Sequence, residues 1–158
     1  MNILIVCLGN ICRSPVAQGV LQQLANKQHL PWLIDSAGTN GLHNGEPPHP
    51  LSQRIALQHG VDISQYRSRK MLASDIEAYD TIYVMGEDVM EGVKKIAGAA
   101  FDSTKVHYFL NELNHNSYGN NMPDPWYGNQ DGFEKVQQLI NETCQAIINK
   151  YKIESVND

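Results

Sequence analysis

The sequence has few cysteines, few basic residues and no long hydrophobic run, and each scarcity excludes a class of protein. Its 158 residues include three cysteines, an odd number and too few for the disulfide framework of a small secreted domain. No apolar run approaches the roughly 20 residues that a membrane span needs. Lys and Arg number 12 against 17 Asp and Glu, and the resulting net charge of −5 argues against a protein that wraps nucleic acid.

What remains is a chain of the size and composition of one globular domain, residues 1–158. At this length about 68% of the unfolded surface can be buried, and apolar residues make up 42% of the chain. The N-terminus lacks the basic and long apolar segments of a signal peptide. We therefore expect a soluble, cytoplasmic protein without nucleic-acid or membrane partners, either a monomer or a weak homodimer.

Short apolar runs alternate with helical patterns along the chain. The patterns predict strands at residues 3–6, 32–34, 81–85 and 106–110, and helices at 14–27, 51–58, 87–96 and from 133 onward. Residues 36–50 and 111–132 are predicted to be loops. Strands separated by helices need crossover connections, so the predicted fold class is α/β, with a mainly parallel, doubly wound sheet. Ligands of such sheets bind at the carboxyl ends of the strands.

The loop after the first strand has the composition of an anion site. It reads Cys7-Leu8-Gly9-Asn10-Ile11-Cys12-Arg13-Ser14, followed by Pro15 at the start of a helix. Backbone N–H groups just before a helix N-terminus attract anions. Gly9 and Asn10 accept left-handed backbone angles easily, and Arg13 adds a planar guanidinium that holds two phosphate oxygens. The segment therefore predicts a phosphate-binding loop.

Cys7 lies at the base of this loop, where the field that attracts an anion also favours a thiolate. A thiolate there is a nucleophile aimed at phosphorus. The hydroxyl of Ser14, which is also the predicted N-cap of the helix, is placed to donate to the Cys7 sulfur.

A second segment, Pro123-Asp124-Pro125-Trp126-Tyr127-Gly128, supplies a carboxylate between two prolines. The prolines stiffen the backbone and hold the side chain in one place, so Asp124 is the candidate general acid. Trp126 and Tyr127 are candidates for an aromatic lip that holds a substrate ring.

Four segments together form a recognisable pattern. They are Val6-Cys7-Leu8-Gly9-Asn10-Ile11-Cys12-Arg13-Ser14-Pro15, Asp35-Ser36-Ala37-Gly38-Thr39, Gly45-Glu46-Pro47-Pro48 and Asp124-Pro125-Trp126-Tyr127-Gly128. With them, over nearly its whole length, the chain resembles the low-molecular-weight protein tyrosine phosphatase family. The resemblance implies a four-stranded parallel sheet with helices on both faces, and phosphotyrosine proteins as substrates. It also implies phosphate or other oxyanions as product or inhibitor, and no metal or cofactor.

The resemblance also implies a role for each site residue. Cys7 attacks phosphorus, Arg13 clamps the phosphate, and Asp124 acts as general acid and then as general base. Asn10, Ser14 and Ser36 support the loop, and Cys12 is positioned for a reversible disulfide with Cys7. The expected substrate-binding residues are Leu8, Gly9, Asn10, Ile11, Cys12, Ser14, Leu42, Trp126 and Tyr127.

Three positions depart from the common family pattern. Leu42 replaces an aromatic residue of the cleft wall, Tyr66 a histidine of the network around Asn10, and Gly86 an acidic residue. A leucine gives a phosphotyrosine ring apolar contact without stacking, so we hypothesise that Leu42 weakens selection for aromatic phosphoesters. A nearby basic run, residues 67–70, is interpreted as a solvated face with one structural ion pair.

Two other functions stay open. One is a thiol-dependent arsenate reductase of the same fold, although that chemistry relays electrons through further cysteines in the middle of the chain. None lies between Cys12 and Cys144, and Cys144 falls on the apolar stripe of the last helix. The other is a phosphoprotein-binding module without turnover, which the presence of both Cys7 and Asp124 disfavours.

Overall fold

A computed structural model describes residues 1–114, 116–127 and 129–157 of the chain, with the side chains of Tyr127 and of residues 155–157 outside the description. The strands are β1 (Asn2–Cys7), β2 (Leu33–Gly38), β3 (Thr81–Val84) and β4 (Val106–Tyr108). The helices are α1 (Ser14–Lys27), α2 (Pro50–Gln58), α3 (Asp75–Ala78), α4 (Glu87–Ala97) and α5 (Gln130–Asn157). Short 3-10 turns lie at Gly98–Ala100, Phe109–Glu112 and Pro125–Tyr127.

The four strands form one parallel sheet in the order β2-β1-β3-β4. Successive side chains of a strand point to opposite faces, and Ile3, Leu4, Ile5 and Val6 of β1 are all fully buried. Both faces of the sheet are therefore covered, as expected of a strand with a continuous apolar run. The predicted doubly wound α/β fold is confirmed.

Three predicted boundaries are wrong. β4 ends at Tyr108, whereas the sequence predicted a strand to Leu110, because the buried apolar residues Phe109 and Leu110 belong to a 3-10 turn. β2 continues to Gly38, whereas the sequence predicted a loop from Ser36, because a serine and a glycine hide a strand whose pairing with β1 sustains it. α5 begins at Gln130 rather than at Phe133, because its first residues are polar and exposed and give no apolar signal.

The carboxyl ends of the three longer strands meet at one edge of the sheet. β1 ends at Cys7, β2 at Gly38 and β3 at Val84, and the loop from β1 to α1 lies on this edge. This is where ligands bind in open α/β sheets. Among the described helices, none combines the length and the apolar character that crossing a membrane requires.

Candidate active site

The loop between β1 and α1 holds its carbonyl groups outward. The carbonyls of Cys7, Leu8, Ile11, Cys12 and Arg13 accept hydrogen bonds of 2.8–3.3 Å from Thr39 N, Asn40 N, His49 N, Ser52 Oγ and Ala17 N, respectively. The described loop has no cis peptide bond, and in a trans peptide the next N–H points away from the carbonyl. The N–H groups that follow these carbonyls therefore face the inside of the loop, beside the positive end of the α1 dipole.

Asn10 holds the strained turn of the loop. Its φ is 60°, in the left-handed region that side chains with a Cβ rarely adopt. Its backbone N–H donates to Cys7 Sγ (3.2 Å), and its buried Nδ2 donates to Ser14 Oγ (2.8 Å) and Ser36 Oγ (2.9 Å). Its Oδ1 accepts the backbone N–H of Arg69 (3.0 Å). The side-chain amide thus connects three parts of the site, and the backbone N–H connects a fourth, Cys7.

A chain of hydrogen bonds directs the Ser14 proton to Cys7. Gln18 Nε2 donates to a backbone carbonyl of β2 (3.3 Å), so its Oε1 is the acceptor for the Ser36 hydroxyl (2.6 Å). Both serine oxygens accept from Asn10 Nδ2, as described above. The Ser14 proton is therefore not used by Asn10 and is free to donate to a Cys7 thiolate, whose Sγ lies 3.0 Å away.

The predicted N-cap role of Ser14 is wrong. The helix begins at Ser14, and Arg13 occupies the N-cap position without a side-chain capping hydrogen bond. The serine hydroxyl lies instead against Cys7, so a Cys7 thiolate would receive two hydrogen-bond donors, Ser14 Oγ and Asn10 N. Two donors at one sulfur stabilise negative charge on it.

Gly38, at the end of β2, lets the sheet approach the loop closely. A Cβ at this position would lie 2.6 Å from the carbonyl oxygen of Leu8 and 3.1 Å from the backbone nitrogen of Asn10. Gly38 also donates its N–H to Arg69 O (2.8 Å) and accepts from Met71 N (2.8 Å). Any larger residue would push the phosphate loop away from its support.

Arg13 joins the loop between β1 and α1 to the Asp124 loop. The Arg13 side chain is 5% exposed, and its Nη1 donates to Met122 O (3.1 Å) while its Nη2 lies 3.5 Å from Asp124 Oδ2. Asp124 Oδ1 accepts the backbone N–H of Trp126 (3.0 Å), and Met122 N donates to Met85 O just after β3 (2.8 Å). A guanidinium has five N–H donors, so further donors remain for a phosphate.

A cleft of about 360 Å³ opens above the loop. Its described lining residues are Cys7, Leu8, Gly9, Ile11, Cys12, Arg13, Asn40, Leu42, His43, Asp124 and Trp126. The three proposed catalytic residues thus face one space. Asn10 and Ser14, expected among the substrate-binding residues, are buried behind the cleft with side chains directed to each other and to Cys7. The side chain of Tyr127 and Gly128 are outside the described residues.

The cleft wall is built from Leu42, His43 and Trp126. Leu42 is 80% exposed at the rim, and Trp126 is 42% exposed. The His43 ring is tilted against the Trp126 ring, with centroids 5.5 Å apart, and its Nδ1 pairs with Glu46. His43 Cδ2 would lie 3.0 Å from a Cβ on Gly9, so the imidazole covers that part of the loop.

The other two cysteines lie in different surroundings. Cys12 lines the cleft, and burial, with smaller contributions from Cys7 and Asp124, raises its pKa to about 12. Cys144 is fully buried in α5 with its Sγ 3.8 Å from the carbonyl of Ala17, and burial raises its pKa too. Both side chains are therefore neutral thiols near pH 7.

Tyr66 and Gly86 depart from the family pattern. Gly86 lies near Arg13 and Asp124, whereas Tyr66 lies near Gly19 of α1. Tyr66 is half-buried, and burial raises its pKa, with smaller contributions from Asp35 and Asp62. A Cβ at Gly86 would lie 2.8 Å from Asn121 Oδ1, so a larger residue there would displace the hydrogen bond that this oxygen accepts from Glu87 N.

Sequence reasoning missed Gln18, Gly38 and the part that Arg69 takes in the site. Gln18 lies four residues after Ser14, so both were already on one face of the predicted helix. Gly38 was hidden because its strand was predicted to end earlier. Arg69 contacts Asn10 through its backbone, and a backbone contact leaves no signal in the residue type.

The chain is similar to one protein family and to its known members over nearly its whole length. The family model described as low molecular weight phosphotyrosine protein phosphatase matches residues 2–157. The low molecular weight protein-tyrosine-phosphatase YfkJ of Bacillus subtilis is 36% identical over 94% of each chain. The human low molecular weight phosphotyrosine protein phosphatase is 31% identical, also over 94% of each chain.

Solved structures agree with these sequence comparisons. The crystal structure of YfkJ matches with a TM-score of 0.89 and 31% identity, covering 98% of this chain and 96% of that one. Wzb of Vibrio vulnificus, solved in complex with benzylphosphonate, matches with a TM-score of 0.81 and 31% identity, covering 94% of this chain and 97% of that one.

Proposed function

The chain belongs to the low molecular weight phosphotyrosine protein phosphatase family, and from this membership we propose a two-step phosphotyrosine hydrolysis with Cys7 as nucleophile. The observation that carries the proposal is the position of Cys7 Sγ. It lies at the cleft floor, within a loop whose N–H groups face inward, and it receives hydrogen bonds from Ser14 and Asn10. That arrangement supports attack by a sulfur anion on a bound phosphate.

In the first step the Cys7 thiolate attacks phosphorus and the bond from phosphorus to the tyrosine oxygen breaks. Arg13 and the inward N–H groups hold the three non-bridging oxygens, where negative charge is concentrated. Asp124 gives its proton to the departing oxygen, so the tyrosine leaves as a neutral phenol. The exposed carboxyl of Asp124 and its contact with Arg13 place it at the mouth of the same cleft.

In the second step water attacks the phosphorus of the cysteinyl-phosphate. Asp124, now a carboxylate, takes a proton from that water, and the bond from sulfur to phosphorus breaks to restore the thiolate. The Ser14 hydroxyl, which points at Cys7 Sγ, stabilises the sulfur as it leaves. Inorganic phosphate is the product and, at high concentration, a competing ligand of the loop.

The substrates we propose are phosphotyrosine proteins and aryl phosphates. An apolar and aromatic wall, Leu42, His43 and Trp126, rises above the phosphate loop and suits a flat ring carried at the end of a long side chain. Benzylphosphonate, bound in the structure of the Vibrio vulnificus protein, has this combination of a ring and a phosphorus oxyanion.

The proposal also includes a redox role for Cys7 and Cys12. Both line the cleft, and a thiolate is the form that peroxide oxidises to a sulfenic acid. Cys12 would lose its proton as its sulfur attacks that sulfenic acid, forming a disulfide and releasing water. The raised pKa of Cys12 makes this step slow near neutral pH. A thiol reductant then restores both residues.

The test is phosphate release from a phosphotyrosine peptide in the presence of a chelator and a thiol reductant. We expect turnover of this peptide, with at least about 100-fold slower release from phosphoserine and phosphoarginine peptides of the same sequence, because only the tyrosine presents a flat ring to the wall. Absence of turnover with retained phosphate binding would favour the phosphoprotein-binding module. The arsenate reductase hypothesis requires further reactive cysteines in the middle of the chain, but none lies between Cys12 and Cys144, and Cys144 is fully buried.

Leu42→Trp is expected to raise kcat/KM for the phosphotyrosine peptide by about 2- to 10-fold. A ring stacked on the substrate contributes on the order of 0.5–1.5 kcal/mol beyond apolar contact, and each 1.4 kcal/mol is about tenfold. The ratio of kcat/KM for an aryl phosphate to that for an alkyl phosphate measures the effect on selectivity.

The matched control is Leu33→Trp. Leu33 is 69% exposed at the start of β2, at the opposite end of the sheet from the cleft. It should leave the aryl to alkyl ratio unchanged. An unchanged ratio in Leu42→Trp as well would contradict the hypothesis that this leucine weakens aromatic selection.

A further inference from the structure

The Arg69 side chain lies in a cluster of two carboxylates and a phenol. Its Nη1 and Nη2 form a two-point contact with Asp75 (2.9 and 3.2 Å), and its Nη2 and Nε contact Asp35 Oδ2 (3.2 and 3.4 Å). Tyr79 donates its hydroxyl to the same Asp35 oxygen (2.9 Å). Two-point contacts of this kind fix the plane of a guanidinium. The side chain of Arg69 is thereby held to both β2 and the first turn of α3.

The backbone of the same residue belongs to the active site. The Arg69 N–H donates to Asn10 Oδ1 (3.0 Å), and the Arg69 carbonyl accepts the N–H of Gly38 (2.8 Å). The N–H contact holds the Asn10 amide with Oδ1 facing Arg69, the same orientation that the Ser36 hydrogen bond to Gln18 favours. With Oδ1 turned to Arg69, Nδ2 is turned to Ser14 and Ser36, as the site requires.

The guanidinium and the backbone N–H belong to the same residue, so the ion pairs that hold the Arg69 guanidinium also restrain its backbone N–H. Asp35, one of its partners, directly precedes Ser36, the serine that also accepts from Asn10. The ion pair between Arg69 and Asp35 therefore connects the two segments that contact the Asn10 amide, the one with Ser36 and the one with Arg69.

We propose that Arg69 is a positioning residue for the reaction, whose ion pairs with Asp35 and Asp75 fix the backbone donor that orients Asn10, and through Asn10 the Ser14 hydrogen bond to Cys7. The inference rests on the proposed function of Cys7 and goes beyond it in assigning a role to a residue outside the cleft. The Arg69 guanidinium stays charged. Burial lowers the pKa of Arg69, but its contacts with Asp75 and Asp35 raise the pKa by more than burial lowers it.

The first test compares Arg69→Met with Arg67→Met. Arg67 is exposed, and its Nη1 contacts two backbone carbonyls, those of Ser64 and Tyr66. We expect Arg69→Met to lower kcat for p-nitrophenyl phosphate by about 10- to 100-fold, the cost of losing an oriented hydrogen bond to a charged sulfur. Arg67→Met should keep wild-type kcat. Arg69→Lys should recover part of the loss, because an ammonium keeps the charge but not the fork.

The second test asks whether Arg69 acts through Asn10. Asn10→Gly removes the side-chain hydrogen bonds while tolerating the left-handed φ. If Arg69 works by orienting that side chain, Arg69→Met should have almost no further effect on kcat in the Asn10→Gly background. If the kcat of the double variant falls by the product of the two single losses, the proposal is overturned, since Arg69 then acts by another route than Asn10. Circular dichroism and thermal melts confirm that each variant is folded at the assay temperature.

A third readout does not depend on turnover. The rate at which iodoacetamide alkylates Cys7, followed by mass spectrometry, reports how well the site sustains a thiolate. We expect slower alkylation in Arg69→Met than in Arg67→Met and wild type, with the difference absent in the Asn10→Gly background. If the variants show this alkylation pattern but the wild-type protein does not hydrolyse the substrate, only the proposed function is overturned. Equal alkylation rates in wild type and all variants would overturn the role of Arg69.

Discussion

Replacing Cys7 with serine is expected to lower kcat for a phosphotyrosine peptide by at least about 10⁴-fold while leaving phosphate binding in place. A serine hydroxyl is not ionised near neutral pH, so the attack on phosphorus loses its nucleophile. The groups proposed to bind the phosphate are the inward N–H groups of the loop and Arg13, and the substitution changes neither. Phosphate release measures the first effect, and calorimetric titration with inorganic phosphate measures the second.

The controls for this prediction are the other two cysteines. Cys144→Ala removes a fully buried thiol of α5 that is distant in the chain from the loop, and it should keep wild-type kcat. Cys12→Ser should still form the phosphoenzyme, because the raised pKa of Cys12 keeps this residue protonated and unsuited to attack. Residual turnover above about 1% in Cys7→Ser would be incompatible with the proposed nucleophile.

The fold could be predicted where hydrophobic patterns repeat. The continuous apolar run of β1 identified a central strand, and alternation with helices required a parallel sheet. Hydrophobic patterns do not predict the end of β2, because Ser36 and Gly38 carry no strand signal and are extended only through pairing with β1. Tertiary pairing overrides local preference there, as it does wherever a polar strand end is used for function.

The candidate site divides in the same way. The residues that would touch a phosphate, Cys7, Arg13 and Asp124, could be identified because each has a distinctive chemistry. The residues behind them could be identified less well. Gln18 affects the Ser14 hydroxyl only through hydrogen bonds that pass by way of Ser36 and Asn10. Arg69 contacts Asn10 through its backbone N–H. Neither role is visible before the chain is folded.

Replacing Asp124 with asparagine is expected to lower kcat for the phosphotyrosine peptide by about 10²- to 10⁴-fold, the usual contribution of a general acid. Asparagine keeps an Oδ1 that can accept the Trp126 N–H, the contact that Asp124 makes in the structure, so the loop should keep its shape. Phosphate affinity should change little, because the inward N–H groups and Arg13 remain. The kinetic constants and a calorimetric phosphate titration provide the measurement.

The role of Asp124 as an acid makes a sharper prediction about the leaving group. p-Nitrophenol is a stable anion near neutral pH and departs without a proton, whereas the tyrosine side chain needs one. The loss of kcat/KM in Asp124→Asn should therefore be on the order of ten times larger for the phosphotyrosine peptide than for p-nitrophenyl phosphate. Asp131→Asn, at an exposed position in the first turn of α5, is the matched control and should affect neither substrate. Equal losses of kcat/KM, which reports the first step alone, on both substrates in Asp124→Asn would contradict proton donation by Asp124, because only that donation depends on the acidity of the leaving phenol.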